Sequence, residues 1–340
     1  MNQTPNKQIG QRLLLFILLL GFLMGATNAN AQSKTDTSIT YIHPKPASFK
    51  SQLYQIIMSV AGLKNGVGKT IKSKAFSHHT APLPQKLTDN YHVSLSEKQG
   101  RKIWTIQPLQ QASNTTILYL HGGAYMANLI KFHWDFIEAL VRKTNATVIV
   151  PDYPLAPHAN CMDVYAFITE IYKQWLQTTP AGHIVIMGDS AGGGLALGFA
   201  ENLKKEHIKQ PSQIILLSPW LDITMSNPDI RLTNKKDKML EINSLQAAGQ
   251  MYAANLQPTN YLVSPIYGDF SGLGKISLFI GTHDILVADA RKFKQMAMQQ
   301  QIAINYFEYP KMFHVWMVVT NLKESQNALE QVVALIKNEE

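Results

Sequence analysis

The pentapeptide Gly188-Asp189-Ser190-Ala191-Gly192 is the stretch of sequence that decides the fold. It follows an apolar, β-rich run at 183–187 and precedes a segment of helical length. A Gly-x-Ser-x-Gly pattern at such a junction is typical of a nucleophile elbow, a sharp strand-to-helix turn that presents a serine hydroxyl. Glycines stand two positions before and after the serine because larger side chains do not fit there. The pattern predicts Ser190 as a catalytic nucleophile, with an ordinary glycine-rich turn as the alternative.

Runs of apolar, β-rich sequence alternate with helix-length segments from residue 87 onward. Most runs are continuously apolar, as expected for strands buried on both faces, and the first two are predicted to form an antiparallel hairpin. The alternation predicts an α/β fold with a mostly parallel central sheet and helices on both faces. The predicted strands are 91–95, 102–106, 116–120, 146–150, 183–187, 213–217, 276–280 and 304–309, and the predicted helices are 131–143, 161–177, 191–206 and 287–300.

A second glycine-rich motif, His121-Gly122-Gly123-Ala124, directly follows the predicted strand 116–120. Glycines let backbone N–H groups point into a site, and a tetrahedral intermediate needs such donors around its oxyanion. We therefore predict an oxyanion hole formed by the N–H groups of Gly122, Gly123 and Ala191. The alternative is a β-turn whose N–H groups serve no ligand.

A serine nucleophile needs a base, and the base needs an orienting acid. In folds with this elbow the chain order is serine, acid, histidine. Asp284 and His314 each follow a predicted strand. Because the carboxyl ends of parallel strands meet at one edge of a sheet, we predict that Asp284 and His314 complete a catalytic triad with Ser190. The competing candidates, which are interpreted as structural, are His283, Asp222 and Asp289.

The composition excludes several classes of protein. The chain has 340 residues and is 46% hydrophobic and 16% charged, which excludes disordered, collagenous and coiled-coil chains. The net charge of +8 is not accompanied by a basic and aromatic strip, so no nucleic-acid partner is expected. No His, Asp and Glu residues have the spacing of metal ligands, so no metal and no cofactor are expected. The single cysteine, Cys161, excludes an intrachain disulfide and is interpreted as a small buried residue.

The first 31 residues have the three-part plan of a secretory signal peptide. Lys7 and Arg12 precede an apolar run, Leu13 to Met24, and the small residues Ala29-Asn30-Ala31 follow it. The run is shorter than the roughly 20 apolar residues of a spanning helix, so an uncleaved membrane anchor is kept only as the alternative. We predict cleavage after Ala31, no membrane span in the mature protein, and a periplasmic or secreted location.

The rest of the chain is divided into two predicted parts. Residues 32–86 are predicted to form a flexible leader (32–40) and N-terminal cap helices, the first of them from apolar residues at helical spacing between 47 and 60. Residues 87–340 are predicted to form the catalytic domain. Within it, the stretch at about 222–270 interrupts the alternation of strands and helices and is predicted to add to the cap. No feature of the sequence predicts an oligomeric state.

Taken together, the motifs resemble those of the hormone-sensitive-lipase-like branch of the α/β-hydrolase esterases. The resemblance covers about residues 90–338 and implies an α/β-hydrolase fold, serine esterase activity on short or medium acyl esters, and a small helical cap built from the N-terminal helices. It rests on HGGA at 121–124, DYPLAP at 152–157, GDSAGG at 188–193, SPWLD at 218–222, GTHDIL at 281–286, and His314.

The chain departs from the pattern of that branch beside the predicted site. Ala124 replaces the usual third glycine, and Val315 follows His314 where glycine is usual, which is expected to narrow the mouth of the site. For the apolar residues around His314, core packing is an equally good interpretation. The residues that we expect to contact substrate are Tyr125, Asp189, Trp220, Val315 and Trp316.

These observations predict a serine carboxylesterase that hydrolyses short- to medium-chain acyl esters of small molecules through an acyl-enzyme intermediate. The same triad would serve an amidase or formamidase, and an acyltransferase would differ only in its acceptor. A non-catalytic, ligand-binding hydrolase fold is the alternative from a different class. The presence of His314 argues against that alternative.

Overall fold

The computed structural model describes residues 38–76 and 79–337. The predicted signal peptide, residues 1–31, lies outside the described residues, together with most of the predicted leader 32–40. The described residues belong to one compact unit, Ser38–Glu340. Among them, no helix is both long enough and apolar enough to cross a bilayer.

A nine-stranded sheet forms the centre of this unit. Its strands are β1 (Thr40–Ile42), β2 (Tyr91–Lys98), β3 (Arg101–Pro108), β4 (Thr116–Leu120), β5 (Thr147–Pro151), β6 (Ile184–Asp189), β7 (Gln213–Leu217), β8 (Lys275–Gly281) and β9 (Ile304–Tyr309). Their order across the sheet is β1-β9-β8-β7-β6-β4-β5-β3-β2. Only the pairs β2–β3 and β3–β5 are antiparallel among these strands. The predicted α/β class with a mostly parallel sheet is confirmed.

Helices cover both faces of the sheet. They are α1 (Phe49–Val60), α2 (Gly66–Ser73), α3 (Gln85–Asn90), α4 (Lys131–Thr144), α5 (Cys161–Trp175), α6 (Ala191–Lys205), α7 (Ile230–Asn234), α8 (Ile242–Ala253), α9 (Val287–Gln299) and α10 (Lys323–Lys337). One hydrophobic core packs α5, α6 and α9 onto one face, and a second packs α4 and α10 onto the other. The helices predicted near 131, 161, 191 and 287 are α4, α5, α6 and α9.

The central strands are buried at every position because both of their faces are covered. Every residue of β4, β6 and β7 is buried. Successive side chains of a strand point to opposite faces, so Ile186 joins the core beneath α6 while Met187 joins the core beneath α4. Burial of one large apolar side chain contributes about 1.5–3 kcal/mol. The continuous apolar runs therefore hold both helical layers on the sheet.

The strands that precede the predicted catalytic residues run in the same direction. The neighbours β6, β7, β8 and β9 pair in parallel. Their carboxyl ends, at Asp189, Leu217, Gly281 and Tyr309, consequently lie along one edge of the sheet. The loops that carry Ser190, Asp284 and His314 all start from this edge.

The edge strand β1 was not expected from the sequence. It starts at Thr40, inside the stretch predicted as a flexible leader, and it pairs in parallel with β9. The backbone N–H of Ile39 also donates to Asn305 Oδ1 at 3.0 Å. The prediction of a leader extending to residue 40 is wrong for its last two residues. A three-residue edge strand is held by backbone hydrogen bonds, and its largely exposed side chains leave no hydrophobic pattern to detect.

The two segments predicted to build a cap contact each other. Helix α2, from the N-terminal segment, packs against α8, from the insertion between β7 and β8. The approach is close, because a Cβ added to Gly68 of α2 would lie 2.6 Å from Ser244 Oγ of α8. Their role as a cap over the active site stays a prediction.

Candidate active site

Ser190 occupies the turn between β6 and α6 in a backbone conformation that L residues rarely adopt. Its φ is 54° and its ψ is −121°, a strained combination of the kind that persists at functional sites when the surroundings hold it. The turn is tight, because a Cβ added to Gly188 would lie 2.2 Å from the carbonyl oxygen of Gly192. The N–H of Ser190 donates to the carbonyl of Leu217 in the neighbouring strand at 2.9 Å. The local geometry is that of a nucleophile elbow.

The structure brings Ser190, His314 and Asp284 together in a hydrogen-bonded chain. His314 Nε2 lies 2.8 Å from Ser190 Oγ, and His314 Nδ1 lies 2.8 Å from Asp284 Oδ2. Asp284 is fully buried, His314 is buried, and Ser190 keeps 9% of its surface exposed. The arrangement leaves the serine as the member of the three that a ligand reaches most directly.

Neighbouring backbone contacts fix the loops that carry the acid and the histidine. Asp284 Oδ1 accepts the N–H of Leu286 at 2.9 Å, which leaves Oδ2 for His314. The two loops are joined where the N–H of His283 donates to the carbonyl of Met312 at 2.9 Å. The acid and the histidine are therefore held in one rigid frame, although the two residues are 30 positions apart in the chain.

The electrostatic surroundings of His314 favour its protonated form. Burial lowers the pKa of His314, but the adjacent carboxylate of Asp284 raises it more, and Asp237 and Asp189 add to that rise. The net result is a pKa above the usual value of imidazole. A histidine poised in this way is a stronger base towards a serine hydroxyl.

Asp237 is a buried carboxylate at the site that sequence reasoning missed. Its Oδ1 accepts the N–H groups of Met239 and Leu240 at 2.7 and 2.8 Å, and its Oδ2 accepts the N–H of Ile285 at 2.9 Å. Burial raises its pKa, and the neighbouring Asp284 carboxylate raises it further. The sequence places Asp237 in the polar run Thr233–Lys238, where it is indistinguishable from a solvated surface residue.

The glycine loop after β4 lies against the elbow, but it uses one of its predicted donors elsewhere. The N–H of Gly122 donates to Asp189 Oδ1 at 3.0 Å, although we expected it to point into an oxyanion hole. The physical reason is that the buried Asp189 carboxylate needs donors. It also accepts the hydroxyl of Tyr119 at 2.6 Å and lies 3.4 Å from His133 Nε2.

The two remaining predicted donors are Gly123 and Ala191. No hydrogen bond from either N–H group is found within the described part of the chain. Gly123 has a φ of +124°, and a Cβ there would lie 2.4 Å from the carbonyl oxygen of Ala127, so only glycine fits. The N–H of Ala191 begins α6, where the helix dipole favours negative charge. Their role as oxyanion donors stays a prediction.

His121 holds the glycine loop in place through contacts with Gly122 and Tyr153. Its ring stacks on Tyr153 at 4.3 Å between centroids, and its Nδ1 lies 2.7 Å from the carbonyl oxygen of Gly122. The Tyr153 hydroxyl donates to the carbonyl of His121 at 2.6 Å. Burial lowers the pKa of His121 to about 3. The side chain is therefore a neutral structural group at ordinary pH.

The residues expected to contact substrate are buried among other side chains of the protein. Tyr125 stacks on Tyr252 at 3.6 Å and on Trp220 at 5.5 Å between centroids. Trp316 packs against Tyr309, and all four of the expected apolar residues are buried. Asp189, the fifth, is held by the hydrogen bonds described above. A direct contact of any of the five with substrate stays a prediction.

Val315 stands where the resemblance led us to expect glycine, and its backbone has a conformation that favours glycine. Its φ is 52°, in the left-handed region, which a β-branched residue rarely adopts. Its N–H donates to Ser218 Oγ at 3.1 Å. Ser218 lies at the end of β7, so this bond ties the histidine loop to the elbow side of the sheet.

The competing candidates have partners elsewhere in the structure. His283 Nδ1 lies 2.8 Å from Gln55 Oε1. Asp289 Oδ1 accepts the amide of Asn227 at 2.9 Å, and Asp222 Oδ2 accepts the hydroxyl of Tyr267 at 2.8 Å. Within residues 38–76 and 79–337, no group of three or more His, Cys, Asp and Glu side chains is arranged to hold a metal ion. Cys161 is buried, as expected.

Comparisons with known proteins agree with the geometry. The alpha/beta hydrolase fold family matches residues 117–318, more than half of the chain. An esterase of Acinetobacter venetianus is 33% identical over 215 residues, which are 61% of this chain and 71% of the esterase. An acetyl-hydrolase of Streptomyces hygroscopicus is 29% identical over 234 residues, 68% of this chain and 78% of that protein. The solved structure of a hormone-sensitive lipase from a metagenome library shares the fold, with a TM-score of 0.74 at 22% identity, covering 87% of this chain and 100% of that one.

Proposed function

Because the chain belongs to the alpha/beta hydrolase fold family, in its hormone-sensitive-lipase-like branch, we propose that it hydrolyses carboxylic esters with Ser190 as the nucleophile. The observation that carries the proposal is the position of the His314 ring. Its Nε2 lies 2.8 Å from Ser190 Oγ, and its Nδ1 lies 2.8 Å from Asp284 Oδ2. A histidine that bridges a serine hydroxyl and a buried carboxylate is the arrangement that activates serine for acyl transfer.

In the first step Ser190 Oγ attacks the ester carbonyl carbon, and His314 Nε2 takes the hydroxyl proton. Asp284 accepts a hydrogen bond from His314 Nδ1–H, which selects the tautomer with a free Nε2 and stabilises the imidazolium. The N–H groups of Gly123 and Ala191 are the proposed donors to the oxyanion. When the tetrahedral intermediate collapses, the alcohol leaves with the proton from His314, and an acyl group remains on Ser190.

In the second step a water molecule replaces the alcohol. His314 takes a proton from this water as the water attacks the acyl carbon, and it returns the proton to Ser190 Oγ as the acid leaves. The strained backbone of Ser190 keeps its side chain at the edge of the sheet throughout, so neither step requires the elbow to move. One site therefore serves both halves of the reaction.

We infer a preference for short to medium acyl chains from the packing around the site. Tyr125, Trp220 and Trp316 are buried in contact with neighbouring aromatic rings. The left-handed Val315 places a branched side chain directly after the catalytic histidine. We infer that these bulky residues restrict the space for a long chain, and one of the similar proteins is named an acetyl-hydrolase.

The test is a panel of p-nitrophenyl esters and the matching anilides, from acetyl to palmitoyl, on the purified protein and on Ser190→Ala. Hydrolysis of the short esters is expected to fall by at least about 10⁴-fold in the variant, as when other triads lose their serine. The matched control is Ser212→Ala, at the opposite end of β7, which is expected to keep full activity. Activity retained by Ser190→Ala would contradict the proposal, and preferential anilide cleavage would assign an amidase.

We also propose that residues 1–31 direct export and are removed. The basic start, the apolar run Leu13 to Met24 and the small residues at 29–31 support this. Mass spectrometry of the protein recovered from cells is expected to show an N-terminus at Gln32. An intact N-terminus on membrane-bound protein would instead indicate the anchor alternative.

A further inference from the structure

Helix α1 turns its apolar face towards solvent. Phe49 and Val60 are 82% and 85% exposed, and Leu53, Ile56 and Ile57 between them are also exposed. With 3.6 residues per turn, these positions share one face of the helix, about 100° wide. The exposed apolar residues of this face, which we call the α1 apolar face, are Phe49, Leu53, Ile56, Ile57 and Val60.

The opposite face of α1 carries Ser51, Gln55 and Met58 and is held against the body of the protein. Ser51 Oγ donates to Glu324 Oε2 at 2.8 Å, and Gln55 Nε2 donates to the carbonyl of Lys311 at 3.0 Å. Gln55 Oε1 also lies 2.8 Å from His283 Nδ1. Rotating the helix to bury the apolar face would break these bonds and leave the buried Glu324 short of donors. The outward orientation of the apolar face is therefore fixed by specific contacts.

The segment that contains α1 is also strongly basic. Residues 38–76 contain six lysines and no aspartate or glutamate. The ammonium group of Lys69 lies at the end of α1, 3.9 Å from the position that a Cβ on Gly62 would occupy. Lys45, Lys69, Lys72 and Lys74 are exposed. An exposed apolar stripe in a segment with only positive charges has the composition of an interfacial helix.

We propose that the α1 apolar face docks the protein onto an anionic lipid bilayer. The apolar side chains would lie among the upper acyl chains, and the surrounding lysines would contact headgroup phosphates. A second copy of the chain is a poorer occupant, because it would bring another six lysines to the same place. Residues 1–37 are also a poorer occupant, because they add three more basic residues and only one acidic residue.

Docking in this way would bring the loops of the active site to the membrane. Gln55, on the buried face of α1, contacts Lys311 and His283. Lys311 lies in the loop that carries His314, and His283 directly precedes Asp284. The surface acts through binding alone, so it does not depend on the proposed ester hydrolysis.

The test is co-sedimentation with vesicles of equal parts phosphatidylglycerol and phosphatidylcholine, compared with vesicles of phosphatidylcholine alone. It is run on the full chain and on the chain from Gln32, which keeps the whole unit Ser38–Glu340. Both chains are expected to bind the anionic vesicles at least about tenfold more tightly than the neutral ones, because each lysine near an anionic surface contributes about 1 kcal/mol. Failure of the chain from Gln32 to bind would overturn the proposal.

Two double variants separate the contributions of the apolar face and the charges. Phe49→Ser/Val60→Ser is expected to weaken binding at least about tenfold through lost apolar burial. Lys69→Glu/Lys72→Glu is expected to weaken it by at least about 25-fold, the factor for two lysines. The matched controls are Leu95→Ser/Met298→Ser and Lys102→Glu/Lys173→Glu, which change exposed residues elsewhere and should bind normally.

Three results would overturn the proposal. The first is equal binding by the test variants and their controls. The second is equal binding to neutral and anionic vesicles. The third is a protein that does not bind vesicles and instead forms a dimer in analytical ultracentrifugation, where Phe49→Ser/Val60→Ser dissociates the dimer. Hydrolysis of p-nitrophenyl acetate without vesicles is measured for every variant, so that loss of docking and loss of catalysis are distinguished.

Discussion

Two helices near the catalytic edge of the sheet are held in place by opposite means. In α6, every residue from Ala191 to Glu201 is buried, and the apolar side chains of the helix pack into the hydrophobic core on one face of the sheet. In α1, only Ser51, Gln55 and Met58 are buried, and the residues of the α1 apolar face are exposed. Apolar packing along most of its length positions α6, whereas α1 is positioned by hydrogen bonds from two polar side chains and by Met58, its one buried apolar residue.

The difference separates the part of the molecule that we propose performs the chemistry from a part whose surface is exposed to other contacts. Close packing fixes the elbow and the helix dipole behind Ser190, so small changes there are expected to be costly. The exposed face of α1 contributes little to the fold, so changes there are expected to leave stability and catalysis intact. Substitutions in the two helices can therefore test whether they differ in this way.

The largest effect is expected at the base of the triad. His314→Ala removes the group that accepts the proton of Ser190, and kcat for a short p-nitrophenyl ester is expected to fall by about 10⁴–10⁶-fold. The matched control is His283→Ala in the neighbouring loop, whose ring contacts Gln55 and not Ser190. Steady-state kinetics on both variants provide the measurement. An equal loss in the two variants would remove His314 from its assigned role.

A large loss of stability is expected from crowding the elbow. A Cβ on Gly192 would lie 2.0 Å from the backbone carbonyl oxygen of Leu120, a contact that only a backbone shift can relieve. We expect Gly192→Ala to lower the free energy of unfolding by about 3 kcal/mol, as measured by urea denaturation. Gly66→Ala in α2, where nothing lies within 4 Å, serves as the control and should be neutral or stabilising. Equal stability of both variants would show that the elbow is loosely packed.

A change in pH dependence is expected from Asp237→Asn. The groups that raise the pKa of His314 are Asp284, Asp237 and Asp189. His314 must be neutral to act as a base, so kcat/KM rises with pH through its pKa, and removal of one negative charge should move that rise to lower pH. Asp289→Asn, also a buried carboxylate, is the control and should leave the rise in place. A rise at the same pH in all three proteins would show that Asp237 does not act on His314.

The raised pKa of His314 also makes the free energy of unfolding depend on pH. Because the pKa of His314 is raised in the folded state, protonation of His314 stabilises the fold. That contribution is complete below the pKa of the unfolded chain and is lost as pH rises through the higher pKa of the folded state. Replacing His314 with Gln should remove it, as seen in urea unfolding across this pH range. An unchanged pH dependence of unfolding in the variant would contradict the shift.

The smallest effect is expected on the exposed face of α1. Phe49→Ser and Val60→Ser should each change the free energy of unfolding by less than about 0.5 kcal/mol, as is usual for surface residues. Ser51→Ala, on the buried face, should cost about 1–3 kcal/mol because it removes a hydrogen bond to the charged Glu324. The reverse order of effects, in chemical denaturation, would mean that α1 is held by its apolar residues after all.

The sequence predicts the catalytic edge well because its signals are local. The elbow needs glycines at fixed spacing around Ser190, and the strands before Asp284 and His314 are rich in apolar and aromatic residues. The parallel sheet then brings the three loops together without further information. Local pattern and global topology agree at this edge, which is why the fold class and the meeting of Ser190, Asp284 and His314 follow from the sequence.

What the sequence does not reveal depends on contacts between distant residues. Asp237 looks like part of a solvated run until the fold places it beside Ile285. The N–H of Gly122 is taken by Asp189, which lies 67 residues away. The outward turn of α1 depends on Glu324, 273 residues from Ser51. No periodicity or spacing in the chain encodes these pairings.

The central claim, that Ser190 forms a covalent intermediate activated by His314, is tested most directly by active-site labelling. The protein is treated with a fluorophosphonate, digested, and the modified residue is identified by mass spectrometry. We expect stoichiometric labelling at Ser190, complete loss of esterase activity in the labelled protein, and greatly slowed labelling in His314→Ala. Labelling of another residue, or full activity in protein labelled at Ser190, would contradict it.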